Sequence, residues 1–390
     1  MADRVRVLVY GGIGDTAYDF CRRRLFMGRL AEMGVDLVPW TPPLIHPPSY
    51  AGRWFQAILD GVARVDLSEA TGAQVVLFSR WSNTHAACTV CGAGCGSPEG
   101  LVEHARSTGH ATLSMDPLLR LVLPVLLANR RLRASCAVIY DLDDDLFHQP
   151  SWAGHAAGLA RELDVIELLV RAADLVTVSS PVLQTRLRPM TPRTYLVRTA
   201  VEPEIYKPPA DRPTPVGNPR ILFYGADVRR RDYALCASAV DECAGPDGRR
   251  IWLGSDSPAV RALVDEAHPP VAPGPAFAAV LAGLQPHIGL APLEDSEFAA
   301  AKSELHWLEY SLVGAATVAT RLAGPGPYDV IRDGNDGLLV SRPEDWKTVL
   351  ARLVGSADLR AELAARARAR VLAEYSAAVR SVEWAAVYRW

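Results

Sequence analysis

Twice along the 390 residues a short run of aliphatic and β-branched residues ends in glycine and passes into a helix-forming stretch, and prolines separate the two series. In the first series Val5 to Tyr10 meets Gly11-Gly12-Ile13-Gly14, followed by a helical pattern through Arg22 to Met33. Strand-like segments recur at Val35 to Val38, Val75 to Phe78, Ala137 to Leu142 and Leu175 to Val178, with a helix expected over Ala156 to Ala172. Strands separated by helices demand right-handed crossovers and a parallel sheet. Between Glu202 and Pro219 proline recurs too often for helix or central strand, which predicts a surface linker and hinge.

The alternation then starts afresh. Strands are expected at Ile221 to Tyr224, Ile251 to Leu253, Ile288 to Pro292 and Ala316 to Thr320, with helices at Asp232 to Cys243, Ala259 to Ala267, Phe277 to Leu284, Ser303 to Val313 and Tyr328 to Arg332. Three helical patterns close the chain: Trp346 to Val354, Asp358 to Glu374 and Ala377 to Trp390, the last with an apolar side of Val382, Trp384, Val387 and Trp390. The class is α/β, with two Rossmann-like doubly wound domains at 1–203 and 204–374. Residues 375–390 form a C-terminal helix expected to pack back on the first.

A net charge of −3 offers no broad basic surface for phosphate screening, so nucleic acid is not an expected partner. No apolar stretch reaches the ~18 residues of a transmembrane span, and the N-terminus runs from charge straight into a strand, which points to a cytoplasmic protein. Nothing in the sequence fixes an oligomeric state.

Three of the seven cysteines lie together. Cys88 and Cys91 with His104 and His110 give a C-x2-C-x12-H-x5-H spacing, with Leu101 three residues before the first histidine, in an insert at about 84–112. That spacing closes a tetrahedral zinc site with no position left for catalytic water, so the zinc is expected to be structural.

Three further features are candidates for chemistry. Gly12, in the turn after the first strand, could expose amides to a phosphate at a helix N-terminus. Asp141, Asp143, Asp144 and Asp145 crowd the carboxyl end of a strand, the edge where open α/β sheets place ligands, and fit either acceptor hydroxyls, a divalent ion or a helix start. The third is the stretch Lys302-Ser303-Glu304-Leu305, Leu308-Glu309-Tyr310 and Gly314, continued by Asp333-Gly334-Asn335-Asp336-Gly337-Leu338-Leu339-Val340.

Together with Ala173 to Ser180 and Val201 to Pro208, that stretch resembles the GT-B glycosyltransferases, specifically the family 4-like group that uses nucleotide sugars. The resemblance implies two domains facing across a cleft, a nucleotide diphosphate sugar donor held by the second and an acceptor, small molecule or glycan, held by the first. It implies retention of the anomeric configuration with no catalytic metal. On this reading Lys302, Arg229 and Asp143 are catalytic, and Gly12, Gly225, Arg230, Ser303, Glu304, Leu305 and Glu309 bind the donor, Glu309 through its ribose. Asp141, Asp144 and Asp145 face the acceptor. The basic residue after the first strand of domain two falls to Arg229, Arg230 or Arg231. Ala301 stands where the group has the first of two glutamates, leaving Asp295 or Glu297 to take that part. A nucleotide-sugar epimerase or phosphorylase on the same scaffold, or a zinc-finger binding protein with a degenerate site, is the alternative.

Protein purified without chelator is expected to carry about one zinc per chain, and Cys91→Ser to lose it together with local folding of 84–112. Elemental analysis of the two proteins checks this, and equal zinc content in both refutes the assignment.

Overall fold

Every residue of Leu175–Val178 and of Ile288–Ala291 is buried, the pattern of strands covered on both faces by helices. The computed structural model describes residues 4–10, 20–40, 44–45, 47–50, 64–79, 86–87, 94–95, 115–151, 163–207, 219–225, 229–245, 248–254 and 258–390. Its frame is two six-stranded sheets. The first contains β1 (Val5–Tyr10), β2 (Val35–Trp40), β3 (Val75–Ser79), β4 (Ala137–Leu142), β5 (Leu175–Val178) and β6 (Thr194–Leu196), in the order β2-β1-β3-β4-β5-β6. The second contains β7 (Arg220–Gly225), β8 (Arg249–Gly254), β9 (Glu266–His268), β10 (Ile288–Ala291), β11 (Ala316–Thr320) and β12 (Leu338–Val340), in the order β9-β8-β7-β10-β11-β12.

Pairing is parallel throughout both sheets. These are doubly wound sheets, each reversing its strand order at one point: between β1 and β3 in the first, and between β7 and β10 in the second. Alternate residues feed two apolar layers. Leu8, Val76, Val138 and Val176 enter one layer of the first sheet, and Val7, Val9, Val75, Leu77 and Ile139 the other. The second sheet is sandwiched in the same way.

Several elements depart from the sequence expectation. The helix expected to run to Ala267 stops at Arg261, and the chain returns as edge strand β9. His268 precedes Pro269, which disfavours helical geometry at that residue, and β8 offers a free edge. The expected helix at Asp232 to Cys243 is two pieces, Arg230–Ala234 and Ala237–Ala244. Strand β6, which the sequence reading does not contain, pairs with β5.

Crossing between the sheets occurs twice, side by side. Val201, leaving the first sheet, pairs with Ser376, returning to it, and the two passes are laced by Val201 N–H to Tyr375 O (3.1 Å) and Ala377 N–H to Val201 O (2.8 Å). The returning helix, Ala377–Tyr388, buries Trp384, Ala385, Val387 and Tyr388 in the same apolar layer as Val7, Val9, Phe26 and Leu30 of the first sheet. Among the described residues no helix is long and apolar enough to cross a membrane.

Trp384 is 1 % exposed, and Arg22 stacks 4.7 Å above its ring. Its truncation to Ala is expected to cost about 3–5 kcal/mol, read as a lower urea midpoint. A loss under about 1 kcal/mol would mean that the helix is not part of the first sheet's core.

Candidate functional site

The carboxyl edges of the two sheets face one another. Loops after β4, β5 and β6 meet the segment 296–304 that follows β10, through Ser180 Oγ to Ala301 O (2.7 Å), Lys302 Nζ to Asp144 (3.5 Å), Arg198 to Glu304 (3.5 Å) and His148 Nε2 to Glu297 (2.9 Å). Arg186 adds a bond to Glu297 O at 2.6 Å. Among the described residues the seam combines these side-chain pairs with bonds to the backbone carbonyls of Glu297 and Ala301.

At the point where the second sheet reverses its order, β7 ends at Gly225 and the chain rises to Arg229. The Gly225 backbone lies at φ +154, and a Cβ there would sit 2.7 Å from Arg229 Cγ, so only glycine lets the two meet. Asp232 fastens the loop after β7 to the one after β10, accepting from Glu294 N–H at 2.7 Å. Arg229 is 5 % exposed, with Nη1 3.0 Å from Asp232 and Tyr328 beside it, and among the described residues these two neighbours do not use up its five N–H donors. Burial works against its charge, but Asp232 and the Tyr328 hydroxyl hold its pKa up. A charged guanidinium with unused donors at a strand-order reversal is a ready anion site.

Lys302 and Ser303 precede the helix, which begins at Leu305, not at Ser303 as expected. Lys302 lies 4.0 Å over the Phe298 ring and pairs with Asp144 from the first domain, so two groups assigned to opposite walls of the cleft are in contact. Glu304 is 1 % exposed and turned to Arg198; burial raises its pKa against that partner. Ser180, Arg198, Lys302, Glu304 and Asp329 line a cavity of about 180 Å³ between the domains.

The aspartate run is split by the end of the strand, since Asp141 belongs to β4 and Asp143 to Asp145 lie beyond it. Asp141 faces inward and is spent on a buried ion pair: Arg22 Nη2 at 2.6 Å, Arg22 Nε at 3.2 Å and Thr177 Oγ1 at 2.6 Å. Both its oxygens are engaged there, and at 1 % exposure it lies below the edge where the sequence reading placed it with Asp144 and Asp145. Asp145 is also consumed, capping Phe147 and His148 N–H groups and pairing with His148 Nδ1 (2.8 Å) and Arg186. Asp143 and Asp144 remain half-buried at the edge.

Glu309 is 5 % exposed, and both its oxygens are engaged: Oε1 accepts from Tyr206 at 2.6 Å and Oε2 from the Tyr224 hydroxyl. Burial pushes its pKa up to about 7, the two hydroxyls only partly opposing this. The Cys21 thiol of the first domain feels its charge. His306 stacks on Tyr224 with centroids 4.2 Å apart and donates from Nε2 to Tyr224 O at 3.2 Å; burial, with Arg229 and Lys302 nearby, keeps it neutral.

Ala301 is fully buried in the apolar layer of the first sheet. A glutamate there would bury an unpaired charge, which explains its absence. Of the residues considered for its part, Glu297 pairs with His148, and Asp295 is exposed. The residues that the sequence reading missed are Tyr206, Tyr224, Arg22, Arg186, Arg198 and His306. Tyr224, standing before Gly225 at the end of β7, is the one with a positional signal. Gly12 and the zinc-spaced Cys88, Cys91, His104 and His110 lie outside the described residues, as does the side chain of Arg230. Among the described residues no three His, Cys, Asp or Glu side chains are grouped to hold a metal.

No protein-family model matches the sequence, and no curated protein matches it. Solved structures do. HepE of Anabaena in complex with UDP and glucose aligns over 98 % of this chain and 99 % of its own, at 13 % identity and TM-score 0.59. Sucrose-phosphate synthase of Thermosynechococcus elongatus aligns over 99 % and 98 %, at 15 % and 0.62. A glycosyltransferase from Rickettsia africae aligns over 99 % and 98 %, at 11 % and 0.58. The two parallel sheets and this likeness define a GT-B fold built of two Rossmann-like domains.

The folded protein keeps a proton on Glu309 up to about pH 7, whereas an unfolded glutamate loses it near 4.5. Between those values the native state binds more protons, so this group's contribution to stability falls as pH rises through the window. Glu309→Gln is expected to flatten the decline in urea midpoint between about pH 5 and 8 relative to wild type. An unaltered pH slope would place the pKa of Glu309 in the ordinary range.

Proposed function

We propose that the chain is a glycosyltransferase of the family 4-like group, moving a sugar from a nucleotide diphosphate donor on the second domain to an acceptor on the first. The observation that carries this is Arg229: a buried, charged guanidinium with donors to spare, at the reversal point of a Rossmann-like sheet whose carboxyl edge meets a second such sheet. HepE binds UDP and glucose in the same fold, which supports the donor class.

In this reading the departing diphosphate gathers charge beside Arg229 and Lys302, both fixed before the reaction begins. A diphosphate outbids a single carboxylate for Lys302, so donor binding releases Asp144 from its ion pair. Asp144 and Asp143 then face the incoming acceptor hydroxyl. The donor phosphate, neutralised by side chains, helps to take the hydroxyl proton, giving a retaining transfer whose chemistry is independent of a divalent ion. Closure of the seam excludes the water that would hydrolyse the donor. The zinc insert, assigned from spacing, would serve as a wall of the acceptor site, and the protein works in the cytoplasm.

A saturating nucleoside diphosphate from a panel of UDP, GDP and ADP is expected to raise the melting temperature of wild type, a ligand at 100 times its Kd adding about 2.7 kcal/mol. Arg229→Gln should lose the shift, and Lys302→Ala should keep it while lowering turnover at saturating donor. A panel with no stabilising nucleotide would remove the donor-site reading. Activity that EDTA abolishes and Mn²⁺ restores would overturn the metal-free chemistry.

A further inference from the structure

Glu309 receives hydroxyls from two parts of the chain that differ in how they are held. Tyr224 ends β7 and is gripped by its surroundings: its ring stacks on His306 and meets Phe277 and Tyr310 edge-on, with centroids 5.3 Å away in each case. Tyr206 follows the single 3-10 turn Pro203–Ile205 on the segment that has just left the first sheet. Among the described residues it makes no ring-to-ring contact, and its N–H rests on Pro203 O at 3.2 Å. Both are buried in the same apolar cluster, Tyr224 at the end of a central strand and Tyr206 just after a single turn.

A carboxylate whose two oxygens each take one hydroxyl is arranged as it would be against the vicinal diol of a ribose. Without such a ligand, a buried Glu309 deprived of donors would carry the full cost of desolvation. Resting on the nucleotide-sugar reading above, we propose that the Tyr206 hydroxyl occupies, in the empty protein, the place of a ribose hydroxyl on Glu309, and that the donor must displace it to bind. Tyr206 is then a positioning residue. It keeps the ribose acceptor satisfied between turnovers, competes with the donor for it, and passes site occupancy to the stretch that crosses between the sheets. Tyr224 stays in place and orients the carboxylate in both states.

The test is calorimetric titration of UDP, GDP and ADP, and of their 2′,3′-dideoxy forms, into full-length wild type and Tyr206→Phe. For the nucleotide that binds best, the variant is expected to bind about three- to tenfold more tightly, the equivalent of one competing hydrogen bond removed. The dideoxy form, which has no hydroxyl for Glu309, should show no such gain. An unchanged or weaker affinity in a Tyr206→Phe protein with wild-type circular dichroism overturns the inference, as does an equal gain for both forms. Should the variant not fold, hydrogen exchange on wild type decides: nucleotide should speed exchange across 203–207, and slower or unaltered exchange there refutes displacement. These failures leave wild-type nucleotide binding intact. Absence of binding by wild type and variant alike removes the donor reading and this inference together.

Discussion

The ion pair of Arg22 with Asp141 is the contact on which the cleft is built. Both side chains are 1 % exposed, so each has left water at a cost that only full pairing offsets. Full pairing is what they have: Asp141 takes two bonds from Arg22 and one from Thr177 on the neighbouring strand, while Arg22 also reaches Val197 O and lies on Trp384. One guanidinium thus ties β4, β5, the exit from β6 and the C-terminal helix. With the end of β4 fixed, the next residues have little freedom, and Asp143 and Asp144 are delivered to the seam. Removing either partner would leave a bare buried charge beneath the acidic loop.

Above that anchor, the two domains touch through charges that are mostly half-exposed. His148 with Glu297 is exposed and contributes on the order of 0–1 kcal/mol, while Lys302 with Asp144 and Arg198 with Glu304 are single contacts at 3.5 Å, longer than any bond of Arg22 with Asp141. The seam is therefore specific in register yet weak enough to open. The contrast between a stiff pair inside one domain and softer pairs between domains suits the proposed role, in which the cleft admits a donor. Ala301 marks the limit of that softness, since it is buried among residues of the opposite domain and its carbonyl accepts from Ser180.

Much of the frame was legible in the residues. Strands β1, β4, β5 and β11 begin and end where aliphatic runs predict, because a parallel strand buried on both faces must be apolar throughout. Edge elements were not: β9 and β6 are short and polar on one side, and only the neighbouring strand's free edge explains them. At the site, Arg229 was one of three neighbouring arginines, while Lys302 and Glu309 stood out because a charge within a motif is visible in one dimension. Their partners are distant in sequence. Tyr206 lies 103 positions from Glu309 and Asp144 158 from Lys302, and no local pattern announces such meetings. The aspartate run misled for another reason. Sequence gives four equivalent acids, whereas Asp141 lies within a strand covered on both faces and a tight turn folds Asp145 back on its own backbone.

The laced double crossing at Val201 and Ser376 also sets an order of events in the making of the protein. A chain emerges from the ribosome in sequence, and domains generally fold as they appear. Here the first sheet is complete by residue 196, yet the apolar layer on one face of it, begun by Phe26 and Leu30, is not completed until residues 377–388 have been made. Every strand of the second sheet comes out in between. The first sheet thus gains its last helix after the strands of the second, and for the interval Val7, Val9, Phe26 and Leu30 lack part of their cover. A ribosome stalled in the final helix would release a molecule whose second half is folded and whose first half lacks that cover.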